Sequence, residues 1–177
     1  GNELEFMVAD LGSEFKAYYH LVSWDSSQDY SNGFWVADTS GARTTPAWTE
    51  HTIQSDYDAA WDVYAIDLDR DGDMDVLGAA AGSSSDISWW ENNGSESFTK
   101  HSIASGYGGA DSVFALDIDN DGDIDVISSA GGNTDEVTWW ENDGSQSFTE
   151  RTIDSDAENA WYVYAADIDE DGYMDVL

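Results

Sequence analysis

Three observations in the sequence predict an all-β protein, built of β-propeller-type blades of four antiparallel strands and forming about three and a third units of an incomplete ring. The chain repeats with a period of fifty residues, so that Asp67, Asp117 and Asp167 are equivalent. Each copy contains short runs rich in β-branched and aromatic residues, separated by turn residues and without helical periodicity. Two copies place adjacent tryptophans on one predicted strand, Trp89 with Trp90 and Trp139 with Trp140. Strand neighbours point to opposite faces, so both faces of each sheet must be covered, as they are when blades stack face to face.

The first unit, residues 1–53, is divergent. Its predicted strands are Phe6 to Asp10, Tyr18 to Ser23, Phe34 to Ala37 and Trp48 to Ile53, with Gly41 and Ala42 at a turn. Where later units carry an acidic ladder it has Gly12, Glu14 and Lys16, so no cation is expected there. The second unit, 54–103, reads as strands Val63 to Asp67, Asp75 to Ala80, Ile87 to Glu91 and Phe98 to Ile103, with an Asn93-Gly94 hairpin before the last. The third, 104–153, repeats these without a gap at Val113 to Asp117, Asp125 to Ala130, Val137 to Glu141 and Phe148 to Ile153. The fourth, 154–177, contains one strand and the acidic loop that follows it.

That loop carries the chemistry. Asp67, Asp69, Asp71, Gly72, Asp73 and Asp75 recur as Asp117, Asp119, Asp121, Gly122, Asp123 and Asp125, then as Asp167, Asp169, Asp171, Gly172, Tyr173 and Asp175. Carboxylates at loop positions 1, 3, 5 and 9, with a glycine turn at 6, let one short segment surround a hard cation with oxygen, and Ca²⁺ fits best. Position 7 ligates through its backbone carbonyl, so its side chain varies freely: Asp73, Asp123, Tyr173. Left alone, such clustered carboxylates repel one another by several kcal/mol. The expectation is about three ions, one for each of loops 67–75, 117–125 and 167–175. An EF-hand is excluded because position 12 is Gly78 or Ser128, without the bidentate acid, and because the flanks read as strands.

Composition narrows the partners. With 38 acidic residues against five cations, Lys16, Arg43, Arg70, Lys100 and Arg151, the net charge is −33, which argues against nucleic acid and anionic membranes. No cysteine is present, so disulfide and thiol chemistry are excluded. The longest apolar stretch, Val76 to Gly82, is too short to insert in a membrane. Heavy acidity and calcium loops suit a secreted or cell-surface, extracellular setting.

Catalysis is not expected. His51 and His101 are equivalent and the next copy has Arg151, a replacement incompatible with general-base duty, while His20 has no nameable partner. No nucleophile elbow, zincin helix or phosphate-cradling loop is present. Asn93-Gly94-Ser95 fits a glycosylation triplet but reads as a hairpin turn, since the next copy has Asn142-Asp143-Gly144. The segments joining blades vary most. A protein or glycan ligand is therefore expected on the rim carrying Trp61, Asp111 and Trp161 with Tyr57, Tyr107 and Ala157. An incomplete ring also leaves open blade ends, through which self-association is expected.

The strings AIDLDRDGDMDVL, ALDIDNDGDIDVI and AADIDEDGYMDVL, each following an aromatic strand, resemble the FG-GAP or VCBS-type repeats of integrin-α-like propellers over about residues 48–177. The resemblance implies that the ladder binds calcium and that the propeller serves adhesion or ligand binding outside the cell, within a larger secreted protein. Two alternatives remain open: an accessory propeller of a secreted hydrolase or lyase, and a structural spacer stiffened by calcium.

Overall fold

The computed structural model describes residues 4–10, 16–18 and 49–177 except 84 and 133. Among them every regular element is a strand: β1 (Leu4–Asp10), β2 (Lys16–Tyr18), β3 (Thr49–Gln54), β4 (Ala60–Ile66), β5 (Asp75–Ala80), β6 (Ile87–Asn92), β7 (Phe98–Ala104), β8 (Ser112–Leu116), β9 (Asp125–Ala130), β10 (Glu136–Asn142), β11 (Phe148–Asp154), β12 (Ala165–Ala166) and β13 (Asp175–Val176). Strands β4 to β7 form one four-stranded antiparallel meander and β8 to β11 a second. The protein is all-β and is built of propeller-like blades, which among the described residues do not close into a ring. The third acidic loop joins the two-stranded pair β12–β13.

Among the described residues the first sheet has the order β2-β1-β3, so residues 49–54 pair with the first strand directly. The expected strand Phe34 to Ala37, the Gly41-Ala42 turn and His20 lie outside the described residues, as do Gly12 and Glu14.

The tryptophan pairs explain the stacking. Trp89 and Trp90, neighbours on β6, are 3% and 1% exposed on opposite faces of one blade. Trp89 joins Leu77, Ala79 and Ile87 against Val113, Ala115, Val126 and Trp140 of the next blade. Trp90 packs on the other face with Tyr57, Val63, Val76 and Ala80, beside Ile53 of β3. Trp139 turns toward the fourth unit, where Ile127, Val163 and Ala165 form a smaller cluster. Burying a large apolar side chain contributes about 1.5–3 kcal/mol, so the stack is held chiefly by these interblade layers.

Directional contacts set the stagger between blades. Asp62, 4% exposed on β4, accepts hydrogen bonds from Ser112 Oγ (2.7 Å) and the Val113 amide (3.0 Å) of the next inner strand. Tyr64, Phe114 and Tyr164 continue the inner edge as a ladder of tilted rings, with centroids 4.9 Å and then 4.6 Å apart. Strands β4 and β8 thus lie side by side, and the acidic loops that follow the inner strands fall on one end of the stack.

Candidate metal centre

Each acidic loop begins where an inner strand stops and ends at the first residue of the next strand, so its two ends are already hydrogen-bonded neighbours. Within it the aspartates organise the backbone as successive side-chain turns. The Asp71 amide donates to Asp69 Oδ1 (3.1 Å) and the Asp73 amide to Asp71 Oδ1 (2.9 Å). The position-6 amides of Gly72, Gly122 and Gly172 donate to Oδ2 of Asp67, Asp117 and Asp167 at 3.1, 3.1 and 2.9 Å. Those glycines have φ of +99°, +103° and +93°, a region that side chains disfavour, and so the turn requires glycine.

These turns bring carboxylate oxygens together three times. Asp67, Asp69 and Asp71 form one group, Asp117, Asp119 and Asp125 a second, and Asp167, Asp169 and Asp175 a third, with the facing oxygens within 4.8 Å of one another. Asp67 Oδ1 and Asp117 Oδ1 are buried yet accept no hydrogen bond. A buried carboxylate oxygen without a donor is costly, and a cation is the partner that this all-oxygen donor set fits. Burial, with the neighbouring carboxylates adding to it, also raises the Asp69 pKa above its ordinary value. The groups could therefore hold metal ions. The position-7 side chains take no part in these groups: Asp73 and Asp123 lie against Gly94 and Gly144, where a Cβ would come within 2.5 Å of Oδ2, and Tyr173 is 69% exposed.

Position 9 has a second role. Asp75, 1% exposed, accepts from the Leu68 amide (3.0 Å) through Oδ2 and from the Asn92 amide (2.8 Å) through Oδ1. Asp125, 0% exposed, does the same with Ile118 (3.2 Å) and Asn142 (2.8 Å). One carboxylate thereby ties the start of its loop to the end of the third strand. Each carboxylate oxygen keeps a further lone pair, so these bonds do not prevent cation binding. Asp175 accepts from Ile168 (2.9 Å) but is exposed.

Burial outweighs these hydrogen bonds and pushes both Asp75 and Asp125 up to about 6. Without divalent cations the folded chain then holds protons that the unfolded chain has released, so stability rises as pH falls from 7 toward 4 and declines as pH rises through 6. A carboxylate moved from 3.8 to about 6 carries roughly 3 kcal/mol at most. Urea unfolding in chelator should give a higher midpoint at pH 5 than at pH 7, and saturating calcium should remove that difference. Equal midpoints in chelator would contradict the assigned burial.

Several expectations change. Tyr57 and Tyr107, placed on the ligand rim from sequence, are 2% and 8% exposed. They pack edge-on against Trp90 and Trp140 at 4.9 and 5.3 Å, and their burial raises both phenol pKa values. Tyr57 Oη donates toward the carbonyls of Gly78 (3.0 Å) and Asp86 (2.8 Å), while Tyr107 Oη donates to Thr138 Oγ1 (2.6 Å). Asp111 is also buried and accepts from the Gly131 amide at 2.8 Å. On that rim Trp61 and Trp161 remain exposed, with ring centroids 6.5 Å apart. His101 pairs with Glu91 at 2.8 Å and stacks on Trp89, and Arg151 pairs with Glu141 at 2.6 Å in the equivalent place. The Asn clamp at Asn92 and Asn142 was not singled out from sequence, although its period of fifty was visible. Their side chains donate to the carbonyls of Met74 (3.1 Å) and Ile124 (3.0 Å) beside the loops.

No curated protein matches the chain at significant similarity. The family model of the FG-GAP-like repeat matches residues 79–128 and 117–177. The first window takes in loop 117–125 and the second adds loop 167–175, while loop 67–75 precedes both and has the same backbone turns. Since the two windows together span more than half of the sequence and meet at an acidic loop set between first and second strands, this chain belongs to the FG-GAP-like repeat family.

Proposed function

We propose that this chain is a calcium-binding propeller module that works outside the cell as a non-catalytic surface for a protein or glycan ligand. The observation that carries calcium is the threefold recurrence of a carboxylate group in which Asp67 Oδ1 and Asp117 Oδ1 are buried without a hydrogen-bond donor. In this reading, Asp67, Asp69, Asp71 and Asp75, with the carbonyl of Asp73, hold one ion. Asp117, Asp119, Asp121 and Asp125 with the carbonyl of Asp123 hold the second, and Asp167, Asp169, Asp171 and Asp175 with that of Tyr173 the third. Bound calcium would supply fixed positive charge, offsetting carboxylate repulsion and stiffening the link between inner strands.

A net charge of −33 favours an extracellular setting, where calcium is abundant and polyanions are poor partners. The two histidines among the described residues are partnered with surface glutamates, His51 with Glu96 and His101 with Glu91, which favours a structural role for them. The ligand surface is best supported at the rim bearing Trp61 and Trp161, whose exposed rings adjoin. Calorimetric titration of the metal-free chain should find about three calcium sites with dissociation constants on the order of 0.1–1 mM. Absence of binding at millimolar calcium would overturn the reading. Binding to a glycan or protein array that is lost in Trp61→Ala with Trp161→Ala would support the rim, and an array signal no higher than background would leave a calcium-stiffened spacer.

A further inference from the structure

The acidic loops touch one another through a residue that has no place among the ligands. Loop position 4 is Arg70, Asn120 and Glu170, and all three adopt left-handed backbone with φ of 61°, 63° and 61°. From that backbone the side chains of Arg70 and Asn120 reach the following loop. Asn120 Nδ2 donates to the carbonyl of Gly172 in the third loop at 3.0 Å. Arg70 makes the corresponding reach in the preceding pair, its Nη1 lying 3.9 Å from where a side chain on Gly122 would begin. Two different residue types at one loop position thus approach the same glycine of the following loop.

That glycine is well placed to matter. Its amide donates to the position-1 carboxylate, Asp167 Oδ2 at 2.9 Å, and the amide that follows it, on Tyr173, donates to Asp171 Oδ1 at 2.9 Å. The bond from Asn120 grips the peptide between them by its carbonyl. It therefore fixes the plane whose amide, that of Tyr173, holds the fifth carboxylate, and it anchors the glycine whose own amide holds the first. The third loop needs such a brace most, because its aspartates sit on a two-stranded sheet and Asp169 and Asp175 are exposed.

We infer that loop position 4 is a latch onto the next blade's loop, so that cation binding in one loop strengthens binding in the following one. Asn120 is a positioning residue for the third site and Arg70 for the second. The inference rests on the calcium reading above, and linkage makes the coupling reciprocal: occupying the third loop strengthens the second by the same factor.

The three position-6 glycines allow the sites to be read separately. In the full chain labelled with ¹⁵N-glycine, the amides of Gly72, Gly122 and Gly172 each report the calcium midpoint of one loop by NMR. Asn120→Gly keeps the left-handed backbone accessible and removes only the side chain. It should raise the Gly172 midpoint about fivefold, the size of one net hydrogen bond, while the Gly72 midpoint moves less than about twofold. Asp117→Asn, which weakens the second site without touching the latch atoms, should raise the Gly172 midpoint in the same direction. A Gly172 midpoint unmoved by either variant, with all three amides still responding to calcium, overturns the latch alone. Amides that ignore calcium in the unsubstituted chain overturn the calcium reading and the latch with it.

Discussion

Trp90→Ala is expected to lower the unfolding free energy by about 3–5 kcal/mol, a large share of the stability of any domain this size. The indole is 1% exposed, meets Tyr57 edge-on at 4.9 Å, and so fills the layer between this blade and the preceding sheet. Collapse around the gap is limited because the neighbouring Gly78 already leaves room for the ring: a Cβ there would lie 2.9 Å from it. The blade cannot refill that space with what it has. Trp140→Ala should cost as much, since the indole is 5% exposed and its Nε1 donates to Ser128 Oγ at 2.8 Å, a buried hydrogen bond that is lost with the ring. Urea titration checks both, and a loss below about 1 kcal/mol in either would show that the interblade layers are not the main support.

Asp125→Ala is the second large effect, on the order of 2–5 kcal/mol in the presence of calcium. Two backbone amides, Ile118 and Asn142, lose the carboxylate that accepts from them, and the second cation group loses a member. In chelator the loss should be smaller, because the substitution also removes a carboxylate that burial disfavours. Asp125→Asn can still accept one of the two amides and should fall between alanine and the parent. Asp75→Ala should match Asp125→Ala, whereas the exposed Asp175 should tolerate alanine best in chelator. Denaturant unfolding of the four variants with calcium and with chelator tests the order. An Asp125→Ala loss that is the same in both conditions would separate this residue from cation binding.

The repeat made the fold legible because every copy solves one packing problem: two faces to cover and one loop to turn. Trp89, Trp90, Trp139 and Trp140 announced covered faces, and the period-two aspartates with glycine at position 6 announced the loop. What stayed illegible depended on contacts between distant residues. Tyr57 and Tyr107 lie in variable connecting segments and read as surface, but they turn inward because the Trp90 and Trp140 faces need a lid. The hairpin at Asn93 and Gly94 was legible, and the connection runs over residues 93–97. There the side chains of Asn92 and Asn93 accept from Gly94 and Ser95, and Glu96 takes a positive φ of 57°. Gly94 is required by its φ of +75°, and the Asp73 carboxylate also occupies the space beside it. Asp62 carries no sequence signal, since its equivalents are Ser112 and Tyr162, yet it joins the two blades.

The first inner strand begins at Ala60, earlier than the aromatic pattern suggested, after Ala59 takes a left-handed φ of 53° that alanine does not advertise. The cation groups were visible as residue types and spacing, but the division of labour within them was not. Asp75 and Asp125 act as clamps on backbone amides as well as group members, and Asp73 and Asp123 face the hairpins.

Crystals grown with millimolar calcium, measured at a wavelength where calcium scatters anomalously, would show directly whether the acidic loops hold ions. An anomalous peak is expected in each of the three carboxylate groups, within about 2.3–2.6 Å of the aspartate oxygens and of the position-7 carbonyl. Ordered water in those places, with no peak in any loop, would contradict this expectation.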